Sequence, residues 1–213
     1  MAIVARLFVC ALSATSVLAQ APSVSVIPLW PSSSIEMHPA PAEITNHMAV
    51  ILTTGSSDMV EWLNRAGFLV LVLSRPEGPP GYIADIQRAI RMVRARANEW
   101  KIDPKRIGVM GFEFGEPAAG AVLHFDSGER NAFSAIDQQS DRPDFAVLDS
   151  EGWNAVAFAK ASRNVPPAFL AEDGDGETAV GWHARFVDWI NALASRTCCG
   201  FLAEGVHGEC LCH

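Results

Sequence analysis

Short runs of almost wholly apolar residues, separated by stretches with helical spacing, constrain this chain more than any other feature. The runs are Met48–Leu52, Phe68–Leu73, Ile107–Met110, Pro143–Leu148 and Ala168–Ala171. A run this short with so little polar alternation has to be covered on both faces, the condition of a strand inside a parallel sheet. Between the first two runs, positions 58 to 66 set Met59, Trp62 and Leu63 at helical spacing, and Gly67 ends the helix. After the second run, Ile83, Ile86, Ile90, Val93, Ala97 and Trp100 trace one apolar stripe, with Arg88, Arg91, Arg94 and Arg96 off it. These arginines are expected to form the solvated face of an amphipathic helix. Further helical stretches are expected near 116–124, 153–161 and 180–194. The alternation predicts an α/β fold, a mostly parallel central sheet covered by helices on both faces.

The chain has 213 residues, enough for one domain with its own core. It carries 16 Lys+Arg against 24 Asp+Glu, a net charge of −8, with a pI near 5.2. Without a basic surplus to displace counterions, nucleic acid is excluded as an expected partner. Residues 1–19 place Arg6 before the apolar run Leu7–Leu12 and end Val17-Leu18-Ala19, the pattern of a secretory signal peptide. The run is too short to cross ~30 Å of hydrocarbon, so no stable membrane anchor is expected and the protein is read as secreted. Cys10 leaves with the signal, and Cys198, Cys199, Cys210 and Cys212 remain. In an exported chain they are expected to form two disulfides, bridging the vicinal pair to Cys210 and Cys212. A zinc site on these thiolates with His207 or His213 is the alternative, although the spacing matches no zinc pattern. No metal or cofactor is expected. Residues 20–46, with Pro22, Pro28, Pro31, Pro39 and Pro41, show no sustained period and are read as an extended lead-in to a domain at 47–213.

After the third apolar run comes Gly111-Phe112-Glu113-Phe114-Gly115, followed by an Ala- and Gly-rich helical stretch. Glycines at both outer positions permit a sharp strand-to-helix turn that lifts the middle side chain above the sheet. In hydrolases built this way the middle residue is the nucleophilic serine of GxSxG; here it is Glu113.

The stretch Asp85–Gly115 resembles the α/β-hydrolase esterases related to acetylxylan esterases and bacterial feruloyl esterases. In them a helix with this arginine pattern leads through the equivalent of Ile102-Asp103-Pro104-Lys105-Arg106-Ile107 into the nucleophile elbow. Arg142-Pro143-Asp144-Phe145, Pro166-Pro167-Ala168-Phe169-Leu170 and His207-Gly208 extend the resemblance over most of the chain. It implies a shortened α/β-hydrolase acting on acetyl or feruloyl esters of plant polysaccharide. It also implies a triad acid at Asp175, with Asp173 in reserve, and a general base at His207.

Three departures weigh against ordinary seryl catalysis. Glu113 supplies a carboxylate, which attacks an ester poorly and gives an anhydride instead of an acyl-enzyme. Relatives carry a glycine-rich oxyanion loop after the first strand, where this chain has only Thr53–Asp58, and losing one donor costs ~10²–10³ in rate. Glu116-Pro117 stands where the family has a small residue and a histidine. The function classes left open are a weakened esterase, a hydrolase using Glu113 or a displaced serine (Ser57 or Ser150), and a non-catalytic binding or regulatory pseudoenzyme. His124 and His183 are expected as surface or satisfied histidines and Trp153 as a core residue. Asp173, Asp175 and Glu177 lack the pattern of a calcium loop.

Overall fold

In β3 (Ala49–Leu52) every residue is buried, yet consecutive side chains belong to different cores. Ala49 and Ile51 join one apolar cluster; Val50 and Leu52 join a second. The same parity continues in β4 (Leu69–Ser74), where Leu69, Leu71 and Leu73 face the first cluster and Val70 the second. A period of two with both faces covered is the reason that the sequence reads there as unbroken hydrophobicity. The computed structural model describes residues 23–31, 33–53, 55–74, 81–111, 116–125, 134–148, 165–171 and 181–194.

The remaining elements are β1 (Ser25–Trp30), β2 (Ser33–His38), α1 (Ser57–Arg65), α2 (Tyr82–Ala95), β5 (Ile107–Gly111), α3 (Glu116–Leu123), β6 (Phe145–Leu148), β7 (Ala168–Leu170) and α4 (Gly181–Ala194). They build a seven-stranded sheet in the order β1-β2-β4-β3-β5-β6-β7. Strands β3 to β7 are parallel to their neighbours in that group, while β2 runs antiparallel to both β1 and β4. Helices α2 and α3 cover one face and α1 and α4 the other. The expected helix at 153–161 lies outside the described residues, as do residues 1–19 and all five cysteines.

Two expectations are corrected. The stretch 20–46, read as a lead-in, contributes β1 and β2, so the sheet begins well before position 47. Pro28 sits in β1, the edge strand, where a proline is tolerated. Arg88 ties this hairpin down: its Nε donates to the Leu29 carbonyl at 2.7 Å and its guanidinium lies 4.1 Å from the Trp30 ring.

The second correction concerns the arginines of α2, which are not a solvated face. Arg91 is only 1% exposed and pairs with Asp141 at 3.0 Å and Asp137 at 3.6 Å. Arg88 holds Asp137 at 2.9 Å, and Arg94 holds Asp144 at 2.7 Å and the carbonyls of Pro104 and Arg142. Segment 134–144 crosses the polar side of α2 and buries it, which a helical wheel has no means of registering. Arg96 stands apart, 5.5 Å over the Trp100 ring.

Local signals set the helix ends. The Ser56 hydroxyl caps α1 by accepting from the Met59 N–H at 3.2 Å. At its other end Phe68 N–H bonds the Leu63 carbonyl and Gly67 N–H that of Asn64, the Schellman pattern. Gly67 has φ 90°, and a Cβ there would lie 2.2 Å from the Ile44 carbonyl oxygen, so only glycine fits.

Candidate active site

The sheet order fixes where a ligand can sit. From β3 the chain crosses to β4 on one side, then returns past β3 to β5 on the other. The carboxyl ends of β3 and β5 therefore form the topological switch point, the place where parallel sheets bind ligands. The strand ends are level there: Leu52 pairs with Met110, Gly111 with Leu148, and Leu148 with Leu170.

Three elements meet at this edge. Thr53 continues β3 by donating its N–H to the Met110 carbonyl at 3.0 Å, with its hydroxyl 3.4 Å from the same oxygen. Gly111 ends β5 against α3, where an added Cβ would stand 2.6 Å from the Ala118 Cβ and 3.0 Å from the Thr53 hydroxyl. The close approach explains this glycine, and it also leaves only four residues, 112–115, to pass from strand to helix. The third element is α2, whose Tyr82 hydroxyl donates to the Thr53 carbonyl. Tyr82 is the chain's only tyrosine and follows Gly81, held at φ 105°. Sequence reasoning missed it, because its partner is 29 residues away and no local pattern announces that contact.

Glu113, Asp175 and His207 all lie outside the described residues, as do Asp173, Glu177, Ser150 and Trp153. What is described is where their segments leave the sheet: 112–115 follows β5, and the segment with Asp175 follows β7. Adjacent strands are ~4.8 Å apart, so these two exits stand ~10 Å from each other.

Ser57 is exposed at the first turn of α1, its hydroxyl 3.5 Å from the Asp58 carboxylate. Among the described residues no histidine nitrogen bonds it. His124 is exposed just beyond α3, with its carbonyl accepting from Gln87 at 2.7 Å. His183 packs against Trp62 and Trp182, its ring centroid 4.1 Å from each. No group of three or more His, Cys, Asp or Glu among the described residues could hold a metal ion. No helix there is long and apolar enough to cross a membrane.

No protein-family model matches the chain. An acetyl ester-xyloside bifunctional hydrolase from Caldicellulosiruptor lactoaceticus superposes with a TM-score of 0.61 at 24% identity, over 83% of this chain and 84% of that one. Esterase 2 of Thermogutta terrifontis, with butyrate bound, superposes with a TM-score of 0.56 at 16% identity, over 82% and 80% of the two chains. The fold is that of the α/β-hydrolases.

Among curated sequences, this chain is 37% identical over 67 residues to an endo-1,4-beta-xylanase B of Butyrivibrio fibrisolvens and 28% identical over 91 residues to an acetylxylan esterase of Xylanibacter ruminicola. The matches take in 31% and 41% of this chain but only 10% and 17% of those relatives. The switch point is thus built on a fold shared with esterases.

Proposed function

We propose that the chain is a secreted carboxylic ester hydrolase of the carbohydrate type, with catalysis severely weakened by Glu113. The observation that carries this reading is the close junction of Thr53, Gly111 and Ala118 at the carboxyl end of β5, on a fold shared with esterases. The local likeness to an acetylxylan esterase points to acetyl or feruloyl groups on polysaccharide. The signal-like residues 1–19 support export.

In this reading His207 is the general base, Asp175 orients its ring, and Glu113 occupies the nucleophile's place. A seryl hydroxyl would pass its proton to His207 while its oxygen attacks the ester carbonyl. Glu113 has no such proton, so His207 instead takes one from a water whose oxygen attacks the carbonyl. The departing alcohol then receives that proton.

Hydrolysis of p-nitrophenyl acetate by the mature chain tests the assignment. Wild type is expected to be slow, Glu113→Ser at least ~10²-fold faster, and His207→Ala to lose most of the wild-type rate. Indifference of the rate to both substitutions would overturn it. Glu113 also favours a second reading, a protein that binds the ester without cleaving it. Activity gained by Glu113→Ser with none in wild type would select that reading.

A further inference from the structure

A groove of about 640 Å³ runs along the sheet face beneath α1, between that helix and β2. We propose that it is a subsite for the saccharide portion of the ester, taking a short, uncharged, hydroxyl-rich chain. The inference rests on the reading of the adjacent switch point as an esterase site and deepens it by assigning the alcohol side of the substrate.

Continuity is the first argument. Gly55 and Ser57 line the groove, and Gly55 follows Thr53 by two residues, at most ~7 Å of extended chain. An ester held at the switch point therefore has the groove within reach of its alcohol oxygen.

The second argument is the chemistry of the walls. Glu36 and His38 stand on the β2 side, and Glu61 and Arg65 on the α1 side. Carboxylates stand on both walls: Glu36 lies 3.6 Å from the His38 imidazole, and Glu61 is paired with the Arg65 guanidinium. With two carboxylates against one guanidinium, the groove has no cationic surplus to draw in a polyanion. It still offers acceptors and donors on both sides, as sugar hydroxyls require. The half-buried Val72 supplies an apolar floor for C–H faces. The only aromatic ring among the lining residues is the His38 imidazole, so an aryl acyl group would find nothing else to stack on. The volume falls within the range of ordinary ligand sites.

The third argument is rigidity. One side-chain amide, that of Asn64 on α1, donates to the His38 carbonyl at 2.9 Å and to the Phe68 carbonyl at 2.9 Å. This ties the β2 wall to the α1 wall and fixes the groove's width before any ligand arrives.

Binding separates this proposal from the catalytic one. The isotope-labelled mature chain is titrated with unesterified β-1,4-xylotetraose and followed by amide NMR, beside p-nitrophenyl acetate turnover on the same sample. Saturable shifts at Gly55, Ser57, Glu61, Arg65 and Val72 are expected, with affinity reduced about tenfold in Glu36→Gln/Glu61→Gln, consistent with loss of hydrogen bonds to charged groups. Unchanged melting of that variant would place the loss in the groove. Shifts confined to other residues, none at saturating sugar, or equal binding of tetragalacturonate would overturn the subsite. A silent turnover assay with intact sugar binding would count against the esterase reading alone.

Discussion

The two helical layers solve different packing problems on the same sheet. Under α2 and α3 the contacts are aliphatic and small, with Ala89, Ala118, Ala119 and Ala121 buried in one cluster. Under α1 and α4 they are aromatic: Phe68, Phe145, Phe169, Trp182 and Phe186 are buried together, with Phe68 and Phe186 centred 5.8 Å apart. The first layer brings backbones close, and α3 comes near enough to forbid a Cβ at Gly111. The second fills a wider space with rings and yields locally where they need room, as where the Phe145 ring overlies Gly108. Of the two layers, the first is the one that packs against Gly111 at the carboxyl end of β5.

The first layer is also the one nailed down by charge, and breaking that gives the largest expected effect. Arg91→Ala removes a charged partner of Asp141, which is fully buried, and one partner of Asp137. Removing one member of a buried ion pair costs about 3–5 kcal/mol, measurable by urea unfolding. A cost below about 1 kcal/mol would mean that segment 134–144 is not clamped to α2 as described.

Next in size is a direct contest between the layers. Gly111→Ala adds one methyl against Ala118, where no flexible side-chain end can yield, and should cost about 1–3 kcal/mol. Phe186→Leu, at a fully buried ring in the other layer, should cost under about 1.5 kcal/mol if neighbouring rings adjust. The reverse order in thermal melts would break the comparison. Smaller again is Ser56→Ala, which removes the α1 cap and should cost about 1 kcal/mol, with amide exchange quickening chiefly at Met59.

The sequence revealed most where burial is complete. β3, β6 and β7 fall within expected runs, and β4 and β5 overrun theirs by one residue each, Ser74 and Gly111, because two-sided cover writes itself as uninterrupted hydrophobicity. β1 and β2 escaped: they form the exposed margin, with alternating burial and a proline, and nothing in Ser33–His38 resembles a core strand. The arginine row on α2 escaped for another reason. Its periodicity shows which side of the helix is polar, but whether water or Asp137 and Asp141 meets that side depends on a segment some 50 residues away. At the site, the glycine of the elbow was legible from spacing, and its physical cause, the contact with Ala118, was not. Tyr82 carries no local signature at all.

The smallest expected effect is a slope, and it tests the same clamp from its far end. Asp144 accepts from Arg94 at 2.7 Å and from the Ile107 N–H at 3.0 Å. Burial nevertheless pushes its carboxyl above the ordinary value of 3.8, and the Arg94 charge, these hydrogen bonds and Arg142 only partly pull it back. Between 3.8 and its raised value the folded chain therefore holds a proton that the unfolded chain has released. The stability that this adds is fully present below 3.8 and is lost as pH rises through the folded value. Asp144→Asn cannot titrate, so the stability gap favouring wild type over the variant should be widest in acid and should narrow as pH rises. Urea unfolding at several pH values reads the trend. A gap that widens with rising pH would mean that Arg94 outweighs burial, making Asp144 a net-favourable ion pair when charged.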